Sequence, residues 1–223
     1  MSARQLSLDL PVRPALGRED FFVSEANAAA LATIEGWQGW PGRKLVLTGP
    51  EGAGKTHLAH VWAALSGARI VPAGALGAAD IPTLAAAPVA VEDADRIAGD
   101  RAAESALFHL HNLVLAEGGA LLVTARDAPG RWGLVLPDLE SRLQAAALAR
   151  LAPPDDGLLV ALLAKLFADR QLSPGPAVLT YVARRIDRSF AGAAEAVERL
   201  DRAALEQKRP LTRALAAEVL TQD

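Results

Sequence analysis

Eight residues, Gly49-Pro50-Glu51-Gly52-Ala53-Gly54-Lys55-Thr56, constrain this chain more than any others. They fit the pattern G-x-x-x-x-G-K-[ST]. They follow a short Leu- and Val-rich run, Lys44 to Thr48, and open a segment, Lys55 to Leu65, whose apolar residues recur at helical spacing. Strand, glycine-rich loop and helix in that order make a phosphate cradle. The glycines let backbone N–H groups turn toward phosphate oxygens, and the helix N-terminus adds a partial positive charge. Lys55 is expected to reach the β and γ phosphates of ADP or ATP, and the Thr56 hydroxyl to ligate Mg²⁺.

Short apolar runs recur at Arg69 to Val71, Val89 to Val91 and Ala120 to Thr124, with a helical pattern from Glu104 to Leu115 before the last. Strands alternating with helices imply a parallel sheet. Val89-Ala90-Val91 runs into Glu92 and Asp93, two acids at the carboxyl end of a strand, where parallel sheets bind their ligands. Glu92 and Asp93 are therefore the expected acidic partners of the metal and of an attacking water. Acids at strand ends are also common as solvated residues.

After Pro153 and Pro154 only helical segments follow: Asp155 to Arg170, Pro174 to Arg185, Ser189 to Gln207 and Thr212 to Leu220. Ser173-Pro174, Ser189 and Thr212 supply start signals. The expected organisation is an arm over 1–20, a nucleotide-binding domain over 21–152 and a helical domain over 153–223. The fold class is α/β: a three-layer αβα P-loop NTPase with a parallel sheet, followed by a small α-helical lid.

Composition removes other classes. No Cys is present, which excludes Cys-ligated zinc, iron–sulfur clusters and thiol chemistry. The four His residues find no completing set of ligands at suitable spacing, so packing or surface roles are expected for them. A net charge of −3 argues against a chain that coats nucleic acid. No run is long and apolar enough for a membrane span or a signal peptide, so a cytoplasmic location is expected.

Gly54-Lys55-Thr56-His57-Leu58, the acids at 92 and 93, Ala106-Leu107-Phe108-His109-Leu110-His111-Asn112, Leu121-Leu122-Val123-Thr124 and Leu136-Pro137-Asp138-Leu139-Glu140-Ser141-Arg142-Leu143 stand in the order seen in the DnaA clade of AAA+ ATPases. The resemblance runs from about Phe22 to the C-terminus. It is closest to short members that carry the AAA+ module without the initiator's DNA-binding domain, for which the chain leaves no room after its helical segments. It implies a nucleotide-bound regulator of replication initiation that acts on the ATPase of DnaA. His57 joins residues 49–56 as a nucleotide contact. Arg142 matches the arginine finger, which reaches a neighbour's γ-phosphate across a subunit interface. Homo-oligomers are compatible with that arrangement.

Gln5-Leu6-Ser7-Leu8-Asp9-Leu10 resembles the peptide that docks such proteins on the β sliding clamp of DNA polymerase III. In that mode Gln5 makes hydrogen bonds and Leu6, Leu8 and Leu10 meet apolar pockets, so DNA is reached only through the clamp. Alternation of apolar residues is also a strand signal, and an arm packed on its own domain is the plain alternative.

Two departures from the family pattern imply weak ATP hydrolysis at most, an adaptor more than an enzyme. Glu92 stands where the first strand-end acid is usually Asp, and Ala191 stands where the lid usually carries a sensor Arg, with Arg185 and Arg188 one turn away. The first sensor lies within Thr124 to Asp127. The rival readings are a helicase loader of the same clade and a stand-alone P-loop nucleotidase or kinase.

Overall fold

The computed structural model describes residues 16–220. Its elements in chain order are α1 (Ala28–Glu35), β1 (Lys44–Thr48), α2 (Lys55–Ser66), β2 (Arg69–Pro72), α3 (Ile81–Ala85), β3 (Val89–Glu92), α4 (Arg101–Ala116), β4 (Leu121–Ala125), α5 (Pro137–Gln144), β5 (Ala147–Arg150), α6 (Asp156–Ala168), α7 (Pro176–Ala183), α8 (Phe190–Gln207) and α9 (Arg213–Leu220). All five strands are parallel, in the order β2-β3-β4-β1-β5. The three-layer α/β domain and the helical lid after it are those expected from the sequence.

The central strands carry near-continuous apolar runs because helices cover both faces. Leu45, Leu47, Ala90 and Leu122 face one layer, packed on α1 and α2; Val46, Val89, Val91, Leu121 and Val123 face the other, packed on α4 and α5. The far end of α2 is pinned by aromatic contacts. Trp62 stacks on Trp40 at 5.2 Å between ring centroids and meets Trp37 edge-on at 6.3 Å. Contacts of this kind contribute about 1 kcal/mol each beyond the area they bury, and they hold the helix whose other end carries Lys55 and Thr56.

The lid has its own core, in which Leu159, Leu163, Phe167, Val182, Val197 and Leu200 interdigitate. Side-chain caps set the starts of α6 and α8. Asp155 accepts the Leu158 N–H at 2.7 Å, and Ser189 Oγ accepts the Gly192 N–H at 2.8 Å. α7 starts at Pro176 behind Gly175, two residues later than Ser173-Pro174 suggests, because either proline suits a first helical position. β5 carries no strand signal in the sequence. Ala-Leu-Ala-Arg lacks β-branched and aromatic residues and forms a strand only because β1 presents it an open edge.

Candidate functional site

The loop between β1 and α2 is shaped by contacts that need glycine at three places. A Cβ on Gly49 would lie 2.8 Å from the Leu151 carbonyl oxygen. Gly52 (φ +70°) and Gly54 (φ +98°) are left-handed, where L side chains are strained. A Cβ on Gly52 would also lie 2.5 Å from that of Ser189. The lid thus touches the loop directly, and the Phe190 N–H donates to the Gly52 carbonyl at 2.9 Å.

Lys55 is buried, and its ammonium donates to the carbonyls of Gly49 and Pro50 at 2.8 and 2.9 Å. Burial lowers its pKa from the usual lysine value, opposed by the nearby carboxylates of Asp93 and Asp95. An ammonium desolvated by burial and hydrogen-bonded to neutral carbonyls favours an anionic ligand. Ala53 packs in the core, and Thr56 is exposed at the first turn of α2.

A cavity of about 740 Å³ opens over this loop. Among the residues singled out from the sequence, Glu51, Gly52, Gly54, Lys55, Thr56, His57 and Asp93 line it. Gly49, Pro50 and Ala53 shape the loop from behind. Asp93 is held left-handed (φ 55°), and its N–H donates to Thr124 Oγ1 at 3.1 Å, tying the end of β3 to β4. Its carboxylate also pairs with Arg96 at 3.4 Å. Glu92 does not line the cavity, and its buried Oε1 has no hydrogen-bond partner among the described residues. The Thr56 hydroxyl and the Asp93 carboxylate, which both line the cavity, are hard oxygen donors of the kind Mg²⁺ takes; Glu92, expected beside them, lies behind the cavity wall at the end of β3.

Arg96, Lys165 and Arg170 on the cavity wall escaped the sequence reading, and Arg126 was placed only within the first-sensor stretch. Arg126 follows β4 and pairs with Glu51 of the loop at 2.6 Å. Lys165 and Arg170 come from α6 and the turn after it, so the lid turns cations to the site from its first helix. Arg188 pairs with Asp156, and Arg185 stacks on Tyr181 at 3.7 Å. Neither lines the cavity. Helical spacing does not identify Lys165, because its side chain reaches the site only through a long-range pair with Asp20. That pair, with the Gly17 carbonyl accepting from His57 Nε2 at 2.8 Å, ties residues 16–20 to both the nucleotide domain and the lid. Gln5, Leu6, Leu8 and Leu10 lie outside the described residues.

Arg142 is elsewhere. It is exposed in the last turn of α5, over the Phe108 ring at 5.5 Å, and takes no part in its own chain's cavity.

His57 and His111 set an acid limit. Burial is the largest cause lowering both from the usual 6.5, outweighing the Gly17 bond at His57 and the Asn112 bond at His111. A histidine depressed in the folded state contributes full stability above its unfolded pKa, and that stability is lost as pH falls below 6.5. Urea unfolding between pH 7.5 and 5 is expected to show the loss, and His111→Gln to flatten it. Equal slopes for parent and variant would refute the assignment.

A parallel sheet in the order β2-β3-β4-β1-β5, a phosphate loop after β1 and a helical lid closing on that loop define the AAA+ class of P-loop fold. Within that class the fold is that of the DnaA AAA+ domain. Domain III of the replication initiation protein DnaA from Thermotoga maritima superposes with a TM-score of 0.79 at 20% identity, covering 95% of this chain and 98% of that domain. AMPPCP-bound DnaA from Aquifex aeolicus gives 0.70 at 17% identity, over 88% of this chain and 69% of that one. The RuvB Holliday junction branch migration motor of T. maritima gives 0.67 at 17%, over 88% and 66%. No family model matches the chain. Among the described residues no helix is long and apolar enough to cross a membrane.

Proposed function

We propose that the chain is a nucleotide-bound AAA+ regulator of replication initiation, acting in the manner of Hda, the regulatory inactivator of DnaA. It docks on the β sliding clamp through Gln5, Leu6, Leu8 and Leu10 and stimulates hydrolysis of ATP held by DnaA. The observation that carries this reading is the separation of its two elements: a phosphate loop over its own cavity, and an exposed Arg142 outside that cavity. An arginine that serves the pocket of its own chain would face it; one that serves a neighbour stands on an outer surface.

ADP or ATP is held by the loop N–H groups and by Lys55, whose buried charge the phosphates compensate. Thr56 with Asp93 would hold Mg²⁺, with Glu92 behind them at the end of β3, and the ion would supply charge neutralisation at the phosphates. DnaA bound to AMPPCP, similar in fold, supports a nucleotide in this cavity. The lid has Ala191 at the sensor position, and Arg185 and Arg188 are engaged elsewhere, which favours slow turnover in the chain's own site.

The test is direct binding to purified clamp, replicative helicase and DnaA. Gln5→Ala with Leu8→Ala is expected to weaken clamp binding at least tenfold, with the thermal midpoint nearly unchanged. Undiminished clamp binding would remove the docking peptide from the account, and helicase binding without clamp binding would favour a loader. Phosphoryl transfer to a small acceptor would favour a stand-alone kinase.

A further inference from the structure

The element that carries Arg142 is gripped at both ends by one stripe of α4. At the start of α5 the buried Glu104 carboxylate accepts the N–H groups of Val135 and Leu136 at 2.9 and 2.8 Å, and that of Gly99 at 2.8 Å. One turn along α4, Phe108 lies under the Arg142 guanidinium at 5.5 Å. One turn further, buried His111 faces Lys44, with Nε2 3.4 Å from the lysine Nζ. Residues 104, 108 and 111 follow the i, i+4, i+7 spacing of a single helix face.

Lys44, the first residue of β1, donates from Nζ to the Arg142 carbonyl at 2.7 Å. That carbonyl belongs to the last turn of α5, where helices leave acceptors unpaired. The Ala145 N–H goes to Ser141 and the Ala146 N–H to Leu143, so the helix's next donors bypass Arg142. An ammonium at a helix C-terminus satisfies the orphan oxygen and complements the helix dipole. His111 Nδ1 lies 3.2 Å from Asn112 Oδ1, an acceptor when the amide oxygen faces it. Nδ1 therefore carries the proton, and Nε2 is left to accept from Lys44. The charged groups facing His111 are Lys44 and Arg142, both cations, which favour the neutral ring.

We infer that Lys44, held by His111, is a positioning residue for the Arg142 finger, fixing the backbone from which the guanidinium leaves α5. The inference rests on the proposed action of Arg142 on a partner's nucleotide. A bond to the finger residue's own carbonyl is the shortest route by which the core can set the guanidinium's origin. A misplacement of about 1 Å in such a group costs on the order of 100-fold in rate.

The test is single-turnover hydrolysis of DnaA-bound ATP on clamp-loaded DNA, stimulated by parent, Lys44→Met, Lys44→Arg or Arg142→Ala. Each variant is paired with its thermal midpoint and its ADP affinity. Lys44→Met keeps the aliphatic stem and removes the donor. It is expected to slow the stimulated reaction by about 10- to 100-fold while ADP affinity stays at the parent value. Lys44→Arg, which can donate to the same carbonyl, is expected to recover most of the rate, a rescue that a purely packing role would not give. If Lys44→Met stimulates like the parent while Arg142→Ala does not, Lys44 does not position the finger. If Arg142→Ala also stimulates like the parent, the trans reading fails and the positioning role falls with it.

Discussion

Lys55→Ala is expected to lower ADP and ATP affinity by at least 100-fold. The ammonium is the one side-chain cation of the phosphate loop, and a charge-assisted hydrogen bond to phosphate contributes roughly 1.5 to 3 kcal/mol, more than one decade of affinity for each bond lost. The substitution is not expected to unfold the domain, because burial already disfavours the Lys55 charge. The variant loses that desolvation cost together with two bonds to backbone carbonyls, and these changes oppose each other. ADP at 100 times its Kd stabilises the parent by about 2.7 kcal/mol through mass action. For a domain of this size that raises the melting temperature by roughly 5–10 °C. Calorimetry and thermal melting with Mg²⁺ should show both effects in the parent and neither in Lys55→Ala. A parent that binds no nucleotide would remove the foundation of the proposed function.

The parts of this fold that were legible in the sequence are those in which chemistry and geometry coincide within a few residues. The loop from Gly49 to Thr56 could be read because each glycine answers a local requirement: a left-handed backbone at 52 and 54, close approach at 49. β1, β3 and β4 could be read because burial on both faces leaves near-continuous apolar runs, and β2, half-buried at the sheet edge, from its β-branched Ile70-Val71 pair. β5 could not, since its strand character comes from pairing with β1. Asp93 at the cavity wall was legible as a strand-end acid. Arg126 was legible only as part of the first-sensor stretch, and the contributions of Lys165 and Arg170 were not legible, because each depends on where distant elements pack. His111 was read as a packing or surface histidine, and it is buried on α4. Its place behind Lys44 needed the register of β1 against α4, which no local pattern encodes.

Arg142→Ala separates a regulator that acts on another molecule's nucleotide from a self-contained ATPase. A finger stabilises charge that develops on the transferring phosphoryl group, and such groups contribute roughly 10³ to 10⁵ in rate. Arg142 lies outside its own cavity, so the Ala variant is expected to keep its ADP affinity and its clamp contact. Lys should rescue poorly, since a point charge does not reproduce the planar fork. Removal of the cation from the Phe108 ring costs only about 0.5–1 kcal/mol at an exposed site, too little to unfold the protein.

The most direct measurement is single-turnover hydrolysis of ATP bound to DnaA, with DNA-loaded clamp and the nucleotide-bound protein present, comparing parent and Arg142→Ala. The account predicts strong stimulation by the parent and loss of about three orders of magnitude of it in the variant. Stimulation by Arg142→Ala equal to that of the parent, or none by the parent itself, would contradict it.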